Sequence, residues 1–241
     1  MDLLSDLNLS QRQAVTQKDG PLLIVAGAGT GKTTVVTRRF AWLVEQDLAK
    51  PSEILAITFT EKATQEMEER VGQLMPLTSG ELNISTIHAF CERVLRDHGL
   101  DLGLPADFEI LSATAQWLFL RRHLSEFHLE YYRPMGNPTK FIKALLEHFS
   151  RGQDEAITPE EYLAHAKTLR LNTDNADSLA QEEIKRLEEI ARAYHTYQTL
   201  KLEERLLDFG DLLVYTLELF KSRQGVLEYY RKKFPYILVD E

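Results

Sequence analysis

The sequence has a single cysteine, Cys91, so no internal disulfide can staple the fold. That thiol sits in "TIHAFCERVLR", a helical pattern, and reads as a small buried hydrophobe rather than a nucleophile. The seven histidines show no pairing with cysteine or carboxylates at ligand spacing, which argues against a zinc site. No apolar run approaches the roughly 20 residues that a membrane-spanning helix needs. The opening "MDLLSDLNLSQ" is acidic and polar, unlike a secretory leader, so a cytoplasmic location without a membrane partner is expected. Positive charge is also in deficit, 28 Lys and Arg against 37 Asp and Glu, for a net charge of −9. Net charge describes the whole surface, whereas a nucleic-acid path needs only a local basic groove. The deficit therefore weakens that class of partner without removing it.

What is present begins with "LLIVAGAGTGKTTVV", residues 22 to 36. "LLIV" is short, apolar and bounded by Gly20-Pro21 and Ala26-Gly27, the pattern of a buried strand. Gly27, Gly29 and Gly31 follow, able to take positive φ and to let backbone N–H groups approach an anion. Lys32 and Thr33 then open a helix that buries Val35, Val36, Phe40, Leu43 and Val44. A strand, a glycine loop and a helix N-terminus in that order make a phosphate cradle, because orphan N–H groups and the helix dipole face one point. Lys32 would reach the β- and γ-phosphates and the Thr33 hydroxyl a Mg²⁺ ion. The general pattern GxxxxGK[ST] is met except at its first position, where Ala26 stands.

With 241 residues, 44% hydrophobic, the chain can bury one substantial core or two modest ones, and two domains are expected. Strand and helix alternate over the first hundred residues. "EILAITFT" gives a strand at Ile54 to Thr58, "EKATQEMEERVGQLM" a helix facing inward with Ala63, Met67, Val71 and Leu74. "LNIST" is a third strand, running into "IHAFCERVLRDHG". This βαβα order implies a parallel sheet with a ligand site at the strands' carboxyl ends. From about residue 100 to 207 the strand patterns disappear in favour of four helical ones, "TAQWLFLRRHLSEF", "NPTKFIKALLEHF", "TPEEYLAHAKTL" and a long one from "DSLAQEE". Two of these open with a proline near the first turn. Charges on the long helix, such as Glu183 before Arg186 and Glu188 before Arg192, read as a solvated face. The chain then regains α/β character in "DFGDLLVYTLELF", "GVLEYYRKKF" and "PYILVDE". A buried strand ending in Asp240 and Glu241 places Asp240 beside the phosphate loop to hold Mg²⁺, with Glu241 to orient or deprotonate water.

Six stretches together resemble the UvrD/Rep/PcrA-type superfamily 1 DNA helicases, with RecB/AddA-type relatives close by. "LNLSQRQAV" resembles the family's Q-motif, whose glutamine, here Gln11, reads the adenine edge. "AGAGTGKTT" is similar to its phosphate loop, including the Ala at the first position. The resemblance thus implies an ATP site formed by Gln11, Ala26, Gly27, Ala28, Gly29, Thr30, Gly31, Lys32, Thr33 and Thr34. Family members often carry Arg where Thr34 stands, and Arg38 and Arg39 are the nearest substitutes. "ILAITFTEKATQEMEERV" and "ISTIHAFCERVLR" resemble motifs Ia and Ib, which touch single-stranded DNA. From the residues alone Phe59 suits a core aromatic and Thr86 a helix cap. The resemblance moves Thr58, Phe59, Thr60, Lys62, Thr86 and His88 towards DNA contact. "LLDFGDLL" and "FPYILVDE" resemble the approach to motif II and its beginning.

The resemblance implies a RecA-like P-loop NTPase domain (1A) at residues 1–99 and 208–241, interrupted by an all-helical 1B insertion at 100–207. It implies ATP and Mg²⁺ as cofactors and single-stranded DNA and its junctions with duplex as partners. The implied parent is an ATP-dependent helicase of repair, recombination or replication, moving 3′ to 5′. Because the family's second RecA-like domain and its arginines would follow Glu241, an N-terminal fragment or truncated product without turnover is expected. The rival classes are a non-catalytic nucleotide- or DNA-binding module and a P-loop phosphotransferase.

Overall fold

β1 (Ile54–Thr58) is completely buried and hydrogen-bonds on both edges, which makes it the middle of a three-stranded parallel sheet. The structure, a computed structural model, describes residues 2–18, 20–27, 29–76, 82–172 and 178–240. In chain order the helices are α1 (Leu9–Thr16), α2 (Lys32–Glu45), α3 (Glu61–Leu74), α4 (Ile87–His98), α5 (Ala113–Arg122), α6 (Ile142–Asp154), α7 (Pro159–Asn172), α8 (Ser178–Glu203), α9 (Phe209–Ser222) and α10 (Gln224–Lys233). The strands after β1 are β2 (Asn83–Thr86), β3 (Glu109–Ile110), β4 (Leu206–Leu207) and β5 (Tyr236–Val239). The chain divides into two compact units, Met1–Phe90 with Arg223–Glu241, and Cys91–Ser222. No helix among the described residues is long and apolar enough to cross a membrane.

In the first unit the sheet order is β2-β1-β5, with Thr58 level with Thr86 and Ile57 level with Val239. Parallel strands need covered faces. Val35, Phe40 and Leu43 of α2 and Met67 and Val71 of α3 pack with Ile54, Ala56, Ile84 and Leu238 in one core. An α/β architecture with a parallel sheet flanked by helices is therefore as the sequence patterns imply. The strand expected at residues 22–25 is not formed. Residues 21–27 are irregular, with Leu23 86% and Val25 88% exposed. A groove of about 540 Å³ separates this stretch from β5, so its backbone has no strand to pair with. Apolar character reports what a side chain prefers; a strand also needs a hydrogen-bonding neighbour. For the same reason β5 is an edge strand with Ile237 and Val239 exposed, rather than a buried one.

The second unit is built on α5 to α9, around Phe119, Leu120, Ile142, Leu145, Phe149, Tyr194 and Tyr197. It is not free of strands as the sequence patterns suggested, since β3 and β4 form a two-residue parallel pair. Such short strands carry too few residues to show a period. α7 opens at Pro159 as expected, but α6 opens at Ile142, after Asn137-Pro138 rather than on it. Of the α8 charges, Glu183 and Arg192 are exposed as expected, but the face is not solvated throughout. Glu188 and Glu189 are buried, and Glu189 accepts backbone N–H bonds from Glu130 (2.8 Å), Tyr131 (3.2 Å) and Tyr132 (3.1 Å). Arg186 pairs with Glu182 at 2.6 Å rather than with Glu183.

A polar node lies inside this unit. The Lys201 ammonium, fully buried, meets Asp208 and Asp211, each at 2.5 Å. Gln153 Nε2 donates to both carboxylates (2.9 and 2.8 Å), and the Tyr197 hydroxyl donates to Asp208 at 3.1 Å. Gly210 stands between the two aspartates because a Cβ there would overlap the Gln153 side chain. Burial pushes both carboxyls up. Lys201 and the donated hydrogen bonds bring Asp208 below the usual range, while Asp211 stays above it. Removing the cation strands two buried carboxyls, so Lys201→Met should cost about 3–5 kcal/mol in urea unfolding. In that variant burial and the mutual repulsion of the two carboxylates outweigh the hydrogen bonds that remain from Gln153 and Tyr197, and the folded pKa values exceed the unfolded ones. Proton binding then favours the folded state, so the deficit should be smallest at acid pH and widen as pH rises through the raised values.

Candidate functional site

The glycine loop ends where α2 begins. Gly31, the residue before Lys32, has φ +91°, and no side chain caps the helix. Its first N–H groups are thus left for an external acceptor, at the positive end of the helix dipole. Gly29 also has positive φ (+75°). Thr30 Oγ1 donates to the Gly27 carbonyl at 2.8 Å, and Lys32 Nζ donates to the carbonyls of Ala26 (2.8 Å) and Gly27 (3.1 Å). The lysine is therefore folded into its own loop. Ala28 lies outside the described residues.

Gln11 joins this loop from α1. Asn8 and Gln11 form a capping box: Gln11 N–H donates to Asn8 Oδ1 at 2.9 Å, and Asn8 N–H donates to Gln11 Oε1 at 3.0 Å. The Gln11 amide nitrogen then donates to the Thr30 carbonyl at 3.1 Å. The resemblance assigns Gln11 only to the adenine edge; the signal for the capping box that this misses is "NLSQ", a capping Asn followed three residues later by Gln.

Arg38 and Arg39, the nearest substitutes for the family's arginine, are both engaged with backbone carbonyls. Arg38 donates to the Leu3 carbonyl at 2.6 Å, and Arg39 to those of Ala14, Val15 and Gln17 at 3.2, 3.1 and 2.6 Å. Arg39 thus closes the carboxyl end of α1, and burial pulls its guanidinium below its ordinary range. Nothing in a helical pattern says that an arginine on its flank will cap a different helix.

At the carboxyl edge of the sheet, Asp240 follows β5 and its N–H donates to the Ile57 carbonyl at 2.9 Å. Asp240 is 8% exposed, and its carboxylate has no hydrogen-bonding or ionic partner among the described residues. The Thr33 hydroxyl likewise has no partner among them. No hydrogen bond joins Asp240 to Lys32 or Thr33 among these residues. A hydroxyl and a carboxylate, both hard oxygen donors left uncommitted, suit Mg²⁺. Glu241 lies outside the described residues.

The residues tied to motifs Ia and Ib occupy the ends of β1 and β2. Phe59 is 78% exposed, and the Lys62 side chain projects from the first turn of α3. Thr60 caps α3, accepting from Ala63 N–H at 3.1 Å. Thr58 is buried, with its hydroxyl 2.6 Å from that of Thr64. Thr86 is buried as well; it donates to Glu61 at 3.2 Å and accepts from Ala89 N–H at 3.1 Å, capping α4. His88 is half-buried on that helix. The exposed group at this edge is therefore Phe59, Thr60 and Lys62, while Thr58 and Thr86 shape the turns beneath them.

A parallel sheet flanked by helices, with a glycine loop entering an uncapped helix, defines an α/β protein of the P-loop kind. Comparison narrows this: residues 7–241 match the UvrD/REP helicase N-terminal domain, and the chain belongs to that family. It is 39% identical over 244 residues to the probable DNA helicase II homolog of Rickettsia felis, covering 100% of this chain and 34% of that protein. It is 38% identical over 240 residues to the ATP-dependent DNA helicase PcrA of Bacillus subtilis, covering 99% and 29% respectively. To DNA helicase II of Escherichia coli it is 33% identical over 240 residues, covering 99% and 30%. The chain spans about a third of the length of these curated relatives.

Proposed function

We propose that this chain is the ATP-binding N-terminal part of an ATP-dependent DNA helicase that moves 3′ to 5′ on single-stranded DNA. Residues 1–99 and 208–241 serve as the RecA-like domain 1A and residues 100–207 as the 1B insertion. The observation that carries the reading is the glycine loop entering an uncapped α2 with Lys32 inside it, in a chain of this family. Residues 26 to 34 cradle the phosphates, and Lys32 leaves its loop carbonyls for the β- and γ-phosphates. Thr33 and Asp240 hold Mg²⁺, which would neutralise developing charge on the phosphates. Glu241 orients the attacking water, and Gln11 reads the adenine. Phe59 stacks on a base, with Thr60, Lys62 and His88 turned to the strand's phosphates and Thr58 and Thr86 positioning that edge.

A charge-assisted contact to phosphate contributes about 1.5–3 kcal/mol, so Lys32→Ala should lower ATP affinity by roughly ten- to a hundredfold in calorimetry. Equal affinities in the two proteins would remove the phosphate-loop assignment. On the DNA side, the chain should prefer single strands to duplex, with affinity that falls as salt rises through counterion release. Phe59→Ala should weaken fluorescence-monitored binding by about 1–3 kcal/mol. A folded Phe59 variant that binds as the wild type does would refute stacking.

Turnover is a separate matter. Phosphoryl transfer draws about 10³–10⁵ in rate from an arginine at the γ-phosphate, and in the family that arginine belongs to the second RecA-like domain. Translocation further requires two domains that close and reopen around the nucleotide. The 241-residue chain alone should therefore bind Mg²⁺-ATP with almost no DNA-stimulated hydrolysis and no unwinding. A coupled ATPase assay with and without single-stranded DNA decides it. Robust stimulated turnover would mean that the catalytic set is complete within these residues.

A further inference from the structure

In the second unit α7, α8 and α9 border a cavity of about 240 Å³ that neither the nucleotide nor the DNA reading uses. Leu202 and Val214 give it an apolar wall, and Tyr194 and Tyr215 line it beside them. Its polar groups are mostly acceptors that lack a donor. Gln198 lines the cavity with its amide nitrogen donating to Asp211 at 2.9 Å, and a carboxylate has no hydrogen to give a carbonyl, so the amide is held one way round. Gln198 Oε1 is left buried, with no partner among the described residues. Glu218 and the Tyr215 hydroxyl, which line the same cavity, likewise have no hydrogen-bonding or ionic partner among them. Glu160, also on the lining, pairs with the His195 ring at 3.6 Å.

The charges around the cavity share one sign. Behind Gln198, two carboxyls, Asp208 and Asp211, face a single ammonium, that of Lys201. Burial and then the charges of Asp211, Asp208 and Glu160 push the Tyr194 hydroxyl up to about 12, and burial with Asp211, Glu218 and Asp208 raises Tyr215. Both rings therefore stand in a negative field, and tyrosine faces themselves attract cations. No three ligating side chains converge among the described residues, which favours an organic cation over a metal ion. We propose that this cavity binds a small aliphatic diamine, with one ammonium at Glu218 and the Tyr215 hydroxyl, the other at Glu160, and the methylene chain along Leu202 and Val214. A primary ammonium brings three N–H donors and no acceptor, which matches a lining rich in oxygen acceptors. The buried Gln198 oxygen adds the negative end of its dipole without touching the ligand. The site lies in the second unit and does not rest on the nucleotide site.

The test is titration calorimetry of the 241-residue chain with putrescine and with butanediol, which has the same chain length and no charge, at one ionic strength. Putrescine should bind and butanediol should give no heat. Glu218→Gln should weaken putrescine about three- to tenfold, since a charge-assisted hydrogen bond at a partly open site is discounted for solvent. Tyr215→Phe, which removes only the hydroxyl, should weaken it about two- to fivefold. Glu218 is exposed, so its substitution leaves the packing alone, and circular dichroism checks that both variants are folded. Glu68→Gln removes an exposed carboxylate on α3, in the first unit, and should bind putrescine as the wild type does. An equal loss in Glu68→Gln would reduce the effect to a general attraction of amines to an acidic surface, and butanediol binding as tightly as putrescine would reduce the cavity to an apolar one; either overturns the diamine site. So does putrescine without heat on the wild type, or with undiminished affinity in a folded Glu218→Gln.

Discussion

The direction of β1 decides where chemistry can occur in the first unit. Because β2 and β5 both run parallel to it, three carboxyl ends arrive at one edge, with Thr58 beside Thr86 and Val239 level with Ile57. Each side chain that follows is then presented by a turn rather than by a strand. Phe59 projects outward because it comes after the last paired residue, and Asp240 remains tucked because its N–H still donates to Ile57. A one-residue slip in either pairing would exchange which of these groups faces outward. Backbone pairing across the sheet, more than any single side chain, therefore sets the layout of the site.

Much of this was legible. "EILAITFT", "LNIST" and "PYILV" became the three paired strands, and the helices between them lie close to where the periodicity put them. Those segments state their fate locally, through apolar runs of strand length and amphipathic runs of helix length. Illegible were the features that depend on a distant partner. "LLIV" has the same composition as its neighbours, but the edge it would pair with stands across a groove. Glu189 looks like any exposed helix carboxylate until three N–H groups of a turn 57 to 59 residues away converge on it.

The site divides along the same line. "GAGTGKTT" is the basis of the proposed anion cradle, because glycine and lysine at that spacing, before a helix, have few other uses. Threonines are less informative: in Thr58, Thr60 and Thr86 one hydroxyl can meet a phosphate, cap a helix or satisfy a neighbour. All three spend it within the protein. The aromatic between them shows the opposite. Sequence alone favoured Phe59 as core, and its exposure leaves a ring face that the fold does not use.

The N-terminal segment shows how a short helix becomes part of a site. α1 has eight residues, below the length at which a helix holds in water, and buries only Val15. Its termini are satisfied from elsewhere or by local capping: Asn8 and Gln11 close the amino end, and Arg39 gathers three carbonyls at the other. Arg38 fixes the preceding turn through Leu3. Both arginines rise from α2, whose own amino end follows the glycine loop. α1 is thus bound to the loop at one end through Gln11 and to the body of α2 at the other. A displacement of the loop relative to α2 must strain one of these attachments. The weaker is the neutral bond from Gln11 to Thr30, since hydrogen bonds from a charged donor are the stronger class. Motion in the loop will therefore part Gln11 from Thr30 before it moves α1 off α2, which leaves the glutamine free while the helix that carries it stays in place.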